Sequence, residues 1–377
     1  MKNNVPFPEV KGKFGFGCMR LPQRGGAIDY PAFCEMADAF LAAGFNYFDT
    51  AHGYHDGLSE PAVRDCIAAR YPREAFVLTD KLTDEYFSSE EEIRPFFEKQ
   101  LSLCGVEYFD FYLMHAQNAK YFEKFKRCRA YETALALKKE GKIRHFGISF
   151  HDSAAVLEQI LTEYPQIEVV QIQLNYADYD DPSVQGGACL AVCEKHAKPV
   201  IVMEPVKGGT LVRLPPAAKE ALAARTDASP ASFAIRYAAS FDSVCMVLSG
   251  MSDMAQVTEN VGFMKDFVPF SEEEYRTAAA VAAAFRNVDL IACTGCRYCT
   301  AGCPEHISIP DLFSDLNAKR MYKDWNSEWY YGVHTANGGK ACDCIGCGKC
   351  ERACPQYLPI RALLKQVSAT FDRPQNG

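Results

Sequence analysis

Short, largely apolar runs alternate along the chain with longer stretches in which apolar residues recur every three or four positions. The runs fall at 14–18, 45–49, 76–81, 109–115, 143–150, 169–174, 200–204 and 244–249, and they have the character of strands buried on both faces. The intervening stretches 32–42, 90–104, 130–140 and 188–196 carry helical spacing. Eight strands alternating with helices predict an α/β fold, a parallel (β/α)8 TIM barrel. An open doubly wound sheet is the alternative, weakened because no GxGxxG follows the first run.

Past residue 262 the pattern changes. An alanine-rich run over 271–285 opens with Ser-Glu-Glu-Glu, which places carboxylates at the positive end of a helix dipole. This helix is expected to pack on the barrel and lead into a second domain. The expected division is 1–265 for the barrel and 266–377 for a small α-helical, cysteine-rich domain.

Polar side chains recur where the strands stop. Asp49 closes the second run, and Tyr54 follows it in FNYFDTAHGY. Lys81 ends the third after Asp80, His115 the fourth, Ser149 the fifth and Glu204 the seventh, while Gln171 and Asn175 lie in and just after the sixth. In a closed parallel barrel this is the rim where side chains leave the packed interior and meet the loops. Taken singly, Asp49 reads as a turn cap, Lys81 as an ion-paired or snorkelling lysine, and His115 as a hydrogen-bonded packing residue. Converging on one rim, they fit acid–base chemistry. A phenol with an unperturbed pKa of about 10 is a reluctant acid at neutral pH. A neighbouring ammonium would stabilise the phenolate and lower that pKa, a carboxylate would hold the ammonium, and an imidazole could hydrogen-bond a substrate oxygen.

Composition narrows the class. At 377 residues, 48% apolar and 23% charged, the chain is an ordinary globular protein long enough for two domains. The net charge of -8, with no dense Lys/Arg run, argues against nucleic acid or an anionic membrane as partner. The first residues lack the apolar core of a signal peptide and no run reaches bilayer length, so a cytoplasmic location is expected.

The cysteines are unevenly spread. Eight of the 17 are scattered over the first 250 residues and nine crowd into 293–354. Within that crowd C-x2-C-x2-C-x3-C-P occurs twice, at Cys293, Cys296, Cys299 and Cys303, and again at Cys344, Cys347, Cys350 and Cys354. This internal repeat is the run used by bacterial-type ferredoxins for two 4Fe-4S clusters. A pair of structural zinc sites would instead need four ligands in two CxxC pairs. Cys342 is left over, and the insert 325–339, rich in Trp, Tyr and Gly, has no role derivable from its residues.

The motifs GFGCMRLP, FNYFDTAHGY followed by SE, LTDKL, DFYLMHA, KIRHFGIS, VVQIQLNY, VIVMEPVKGG and VLSGMSDMAQVTEN together resemble the aldo-keto reductase superfamily over roughly residues 10–262. The resemblance implies that Asp49, Tyr54, Lys81 and His115 are a catalytic tetrad, with Tyr54 the acid that protonates a carbonyl oxygen as hydride arrives from a nicotinamide. It implies that Ser149 and Gln171 contact the nicotinamide carboxamide, and that Glu204, Pro205 and Val206 stand where relatives often stack a tyrosine on the ring. Met19 and Arg20 would contact the nucleotide at the first rim, Arg20 supplying charge. Relatives grip the 2'-phosphate with Lys, Ser and Arg, where this chain has Ser249, Gly250, Met251, Ser252 and Gln256, while Glu259 and Asn260 match the adenine end. The cofactor is therefore NADP or NAD. Resemblance to ferredoxins implies that Cys293, Cys296, Cys299 and Cys354 hold one cluster, and Cys344, Cys347, Cys350 and Cys303 the other.

The expected activity is a nicotinamide-dependent carbonyl reductase or alcohol dehydrogenase acting on a small molecule, with clusters serving stability, regulation or exchange with a redox partner protein. Clusters pass single electrons and a nicotinamide passes hydride, and no flavin motif is evident to convert between them. The alternative is an electron-transfer protein whose barrel is a docking scaffold or reduces its substrate with cluster electrons. The loops 83–90, 117–123 and 176–187 mix polar and aromatic residues without a charge cluster that would select a phosphorylated or acidic substrate.

Overall fold

Each of the eight apolar runs lies on a strand, with ends displaced by a residue or two: β1 (Phe14–Gly17), β2 (Tyr47–Asp49), β3 (Val77–Leu82), β4 (Phe109–Gln117), β5 (Ile143–Phe150), β6 (Val169–Gln173), β7 (Val200–Met203) and β8 (Val244–Gly250). The computed structural model describes residues 6–181, 184–286, 289–322 and 326–372. The strands pair in parallel in chain order, and β8 returns to β1 to close a barrel. An open sheet is thereby excluded.

Register decides which side chains face inward. Tyr47 pairs with Val77, Asp49 with Thr79, Lys81 with Leu113 and Ser149 with Gln171. Because side chains alternate along a strand, Tyr47 and Asp49 share one face, as do Val77, Thr79 and Lys81. The lower interior is apolar, built from Tyr47, Val77, Phe111, Val169, Ile201 and Met246 and closed by Phe7 and Val10. Space there is exhausted: a Cβ on Gly15 would lie 2.7 Å from Leu248 Cδ2, and one on Gly147 2.5 Å from the Val169 carbonyl oxygen. The polar interior residues are thereby left at the C-terminal end.

Outside the strands, the helix Glu90–Cys104 buries Ile93, Phe96, Phe97 and Leu101, and ends at Gly105, whose φ of 67° is the left-handed conformation such a terminus favours. The helix Tyr30–Ala42 starts at Asp29, whose carboxylate accepts from the Ala32 amide.

By contacts the chain forms two compact units, Met1–Pro205 with Ala231–Ser271, and Val206–Pro230 with Glu272–Gly377. The second is not a simple C-terminal appendage, since it takes in a segment from the middle of the barrel sequence. The helix Glu272–Arg286 groups with this second unit and packs on the helix Pro216–Ala223, which follows β7 in the sequence. Its buried stripe Ala278, Val281, Ala282 and Phe285 recurs at helical spacing, and Pro216–Ala223 buries Ala218 and Leu222.

The core of the second unit joins Ile309, Leu312 and Phe313 of the helix Ile309–Tyr322 to Leu364 and Val367 of the helix Ile360–Phe371, with Cys299 and Cys350 among them. Trp325, at the start of the insert, lies outside the described residues. The rest of the insert supplies the helix Asn326–Thr335, in which Tyr331 stacks on Phe371 at 4.6 Å between ring centroids. The Tyr331 hydroxyl donates to Asp372 and accepts from the Ala341 amide, tying the insert to the segment before the second cysteine motif and to the end of the last helix.

Candidate functional site

At the C-terminal end of the barrel, Lys81 is wholly buried. Its ammonium donates to Asp49 Oδ1 at 2.6 Å, to the Thr50 carbonyl at 2.7 Å and to the Tyr54 hydroxyl oxygen at 3.3 Å. A lysine has three N–H bonds, and here all three are used. Because Tyr54 accepts from Lys81, its own O–H is left to donate elsewhere. Asp49 Oδ2 accepts from Gln171 Nε2 at 3.2 Å, so the carboxylate is held from both sides. The Tyr54 and His115 rings are 6.2 Å apart, close to edge-on.

The electrostatics depart from the expectation that Lys81 would lower the Tyr54 pKa. Burial dominates and pushes the phenol well above its usual range, with the Asp49, Cys18, Asp80 and Glu204 charges adding to the effect. Tyr54 is therefore a protonated donor throughout the neutral range. Burial, reinforced by the Lys81 charge, holds His115 well below its ordinary value, so it is a neutral imidazole. Its Nδ1 lies 2.7 Å from Thr83 Oγ1. With the hydroxyl as donor in that contact, Nε2 would carry the proton.

Left-handed backbone accumulates at this rim. His55 and Asp56 after Tyr54, Ala116 after His115, and Glu204 after β7 all have φ between 52° and 56°. Non-glycine residues rarely adopt this conformation, and such strain concentrates where side chains are aimed for function.

The residues expected at the nucleotide are placed unevenly. Ser149 is buried and its hydroxyl accepts from the Ala116 amide, while Gln171 is engaged with Asp49. Met19 and Arg20 form a short helical turn after β1, and the Arg20 side chain runs beside Gly250, whose missing Cβ would lie 3.1 Å from Arg20 Cδ. The helix Met254–Lys265 is capped by Asp253, which accepts from the Gln256 amide and from Gln256 Nε2. Asn260 is buried and bonds Ser249, and Glu259 is exposed. Glu204 offers its carbonyl to Asn175. Pro205 ends the first unit, and Val206 opens the segment assigned to the second.

Several neighbours were not singled out as site residues from sequence. Thr83 orients His115 and Thr50 holds Lys81 through its carbonyl. Behind Lys81, on the outer face of β3, Glu60, Asp80, Gln100 and Tyr112 form a fully buried polar cluster. The signal available was the carboxylate of Asp80 inside an apolar strand. Beyond the adjacent Lys81 amide, nothing local identifies its partners Glu60 and Cys104, which come from 20 or more residues away.

In the second unit the repeated cysteine motif is repeated in the backbone. Gly295 and Arg297 have φ of 67° and 66°, matched by Gly346 at 74° and Gly348 at 71°. Three residues past each fourth cysteine, His306 and Tyr357 match at 50° and 51°. Cys293, Cys296, Cys299 and Cys354 line one cavity with Ile309 and Phe313. Burial raises the Cys299 thiol, and Cys296, Cys293 and Cys354 reinforce it. Burial likewise raises Cys350, with Cys344 and Cys347 close enough to contribute. No disulfide joins any of the cysteines, and Cys342 is exposed beside Asp343 and outside both groups. Two thiol nests on matching loops are the donor chemistry an iron–sulfur cluster needs.

Compared with known proteins, residues 13–283 match the model of the Aldo/keto reductase family, and residues 292–358 match that of the 4Fe-4S dicluster domain. The holo form of an aldo-keto reductase from Bacillus halodurans is 25% identical, with a TM-score of 0.58 over 73% of this chain and 93% of that one. Its apo form is 26% identical with a TM-score of 0.56, again over 73% and 93%. An aldo-keto reductase from Klebsiella pneumoniae in complex with NADPH is 19% identical, covering 71% of this chain and 94% of that one at a TM-score of 0.58, a likeness of fold alone. No curated protein matches. With a closed parallel barrel and a family match over most of its length, this chain belongs to the aldo/keto reductase family of oxidoreductases and carries a 4Fe-4S dicluster domain after its barrel.

Proposed function

We propose that the barrel reduces a small-molecule carbonyl, or oxidises the corresponding alcohol, with a nicotinamide cofactor, and that Asp49, Tyr54, Lys81 and His115 are its catalytic residues. The observation that carries this is the buried Lys81 ammonium shared between Asp49 and the Tyr54 oxygen. The nicotinamide supplies a hydride to the carbonyl carbon. Tyr54 gives its proton to the carbonyl oxygen, and the phenolate left behind is stabilised by Lys81, whose charge Asp49 balances. Neutral His115 donates from Nε2 to the same oxygen and orients it. Ser149 and Gln171 serve the carboxamide of the cofactor. Met19, Arg20, Glu204 to Val206, Gly250, Gln256, Glu259 and Asn260 are the remaining nucleotide contacts.

The thiols lining the first cavity, Cys293, Cys296, Cys299 and Cys354, hold one 4Fe-4S cluster, and Cys344, Cys347, Cys350 and Cys303 hold the second. Such clusters supply one-electron chemistry, for exchange with a redox partner protein, for regulation or for stability.

Replacing Tyr54 with Phe keeps the ring and removes the acid. Turnover of a carbonyl substrate by Tyr54→Phe is expected to fall by about 10²- to 10⁴-fold, while nucleotide binding, followed by nicotinamide fluorescence, stays as in the parent. Unchanged turnover would remove Tyr54 from the role of acid.

A further inference from the structure

Glu60 and Asp80 are both fully buried, and one oxygen of each lies within 4.8 Å of the other and of Cys104 Sγ. They form the centre of a chain of contacts that ends at the candidate catalytic groups. On one side, Glu60 Oε2 lies 2.6 Å from His52 Nδ1, on the same turn as Tyr54, and His52 keeps 11% of its side chain exposed. On the other side, Asp80 Oδ1 accepts from the backbone N–H of Lys81 at 2.8 Å. Gln100 Nε2 bridges the two branches, donating to Glu60 Oε1 and to the Lys81 carbonyl, while its own oxygen accepts from Tyr112. Both peptide groups of Lys81 are thus held from outside the barrel by this cluster.

Two carboxylates at this separation and without solvent cannot both be ionised, because each charge disfavours the other. We propose that Glu60 and Asp80 share one proton and act as positioning residues that clamp the Tyr54 turn to the Lys81 strand, with His52 as the port through which that proton exchanges with solvent. The assignment of Tyr54 and Lys81 as the working pair is the reading given above, on which this inference rests.

The surroundings favour the protonated pair. Burial raises Glu60 to about 7, opposed by hydrogen bonds from Asp80 and Gln100 and by the charge of Lys99 on the helix Glu90–Cys104. Burial raises Asp80 well above the carboxylate range, Glu60 adds to that, and the Lys81 amide and charge oppose it. The other titratable groups facing the pair are His52, Cys104 and Tyr112, with Tyr86 beside His52 and Tyr54 on the barrel side, both phenols raised by burial. Cys104 and Tyr112 are themselves pushed upward by burial and stay neutral, whereas His52 is pushed downward. Both carboxyls are thus biased towards the protonated state, and rising pH removes their protons in turn. Loss of the last proton removes the hydrogen bond between the carboxyls, and repulsion then loosens the turn that carries Tyr54.

Asp80→Asn tests this, since an amide donates to Glu60 as the protonated acid does but has no proton to lose. In the full, cluster-loaded chain, infrared spectra recorded against pH should show the carbonyl stretch of a buried protonated carboxyl persisting above pH 7, and Asp80→Asn should lack it. At alkaline pH, residues 50–57 should exchange amide hydrogens several-fold faster in the parent than in the variant at the same pH. The alkaline limb of carbonyl reduction should move up by about one pH unit in the variant. A parent without the protonated band above pH 7, or a band retained in Asp80→Asn, overturns the shared proton. Equal exchange of residues 50–57 in both proteins overturns the positioning role. Absence of turnover with every carbonyl, while band and exchange behave as stated, would count against the reductase reading and leave this inference standing.

Discussion

Lys81 carries a positive charge where water does not reach, and its three donors are matched to three acceptors on β2 and the turn after it. A buried cation is tolerated only when paired and hydrogen-bonded, and removing one partner of such a pair costs about 3–5 kcal/mol. The same arrangement leaves the phenol of Tyr54 protonated and its hydrogen directed away from Lys81, which is the state a proton donor needs. A second charge bears on the proposed nucleotide side. Asp253 caps the helix Met254–Lys265 with a carboxylate at the place where backbone amides would receive a phosphate. Asp253→Ser keeps the cap and removes the charge. Affinity for NADPH relative to NADH, measured by fluorescence titration, is expected to rise up to about fivefold, the scale of one charge at a helix end; no change in the ratio would place the 2'-phosphate elsewhere. Asp49, Tyr54, Lys81 and His115 were legible because each sits at or just past the end of an apolar run. Thr83, Glu60 and Gln100 were not, because their importance lies in partners brought by other elements across 19 to 40 residues of chain.

At the scale of elements, strand periodicity was sufficient to locate all eight barrel strands, since burial on both faces leaves an unbroken apolar signature. Periodicity could not assign residues 206–230 to the second unit, because an amphipathic helix shows which face it buries and not against what. Within the second unit, the backbone of this segment also runs close to that of the first cysteine loop. Gly208 has a φ of 61°, and a Cβ there would lie 2.4 Å from the Thr294 carbonyl, next to Cys293. Gly208→Ala is therefore expected to lower stability by more than the roughly 1–2 kcal/mol of left-handed backbone strain alone, and to reduce iron content. Gly25→Ala is the matched control, having a φ of 61° with nothing within 4 Å of its Cβ. Denaturant midpoints and iron assays on both variants measure the difference. Equal effects would mean that the turn is not pressed against Thr294.

At the scale of the whole molecule, two chemistries that do not exchange electrons directly are carried on one chain. A hydride moves two electrons and a cluster one, and the sequence shows no flavin motif to convert between them. The cysteine repeat was the most legible feature of the sequence because its spacing is the ligand geometry itself. The matching left-handed residues of both loops were foreshadowed only by Gly295, Gly346 and Gly348, since Arg297, His306 and Tyr357 give no such signal. Among the described residues no helix is long and apolar enough to cross a membrane. We propose that carbonyl chemistry proceeds in the barrel with a nicotinamide, which passes its hydride to substrate and no electrons to the clusters. Anaerobic titration of the cluster-loaded protein with NADPH and NADH, following nicotinamide fluorescence and cluster absorbance together, tests this most directly. Saturable binding of at least one nucleotide with unchanged cluster absorbance is the predicted result. Absence of binding by both, or bleaching of the clusters by the nucleotide alone, would contradict it.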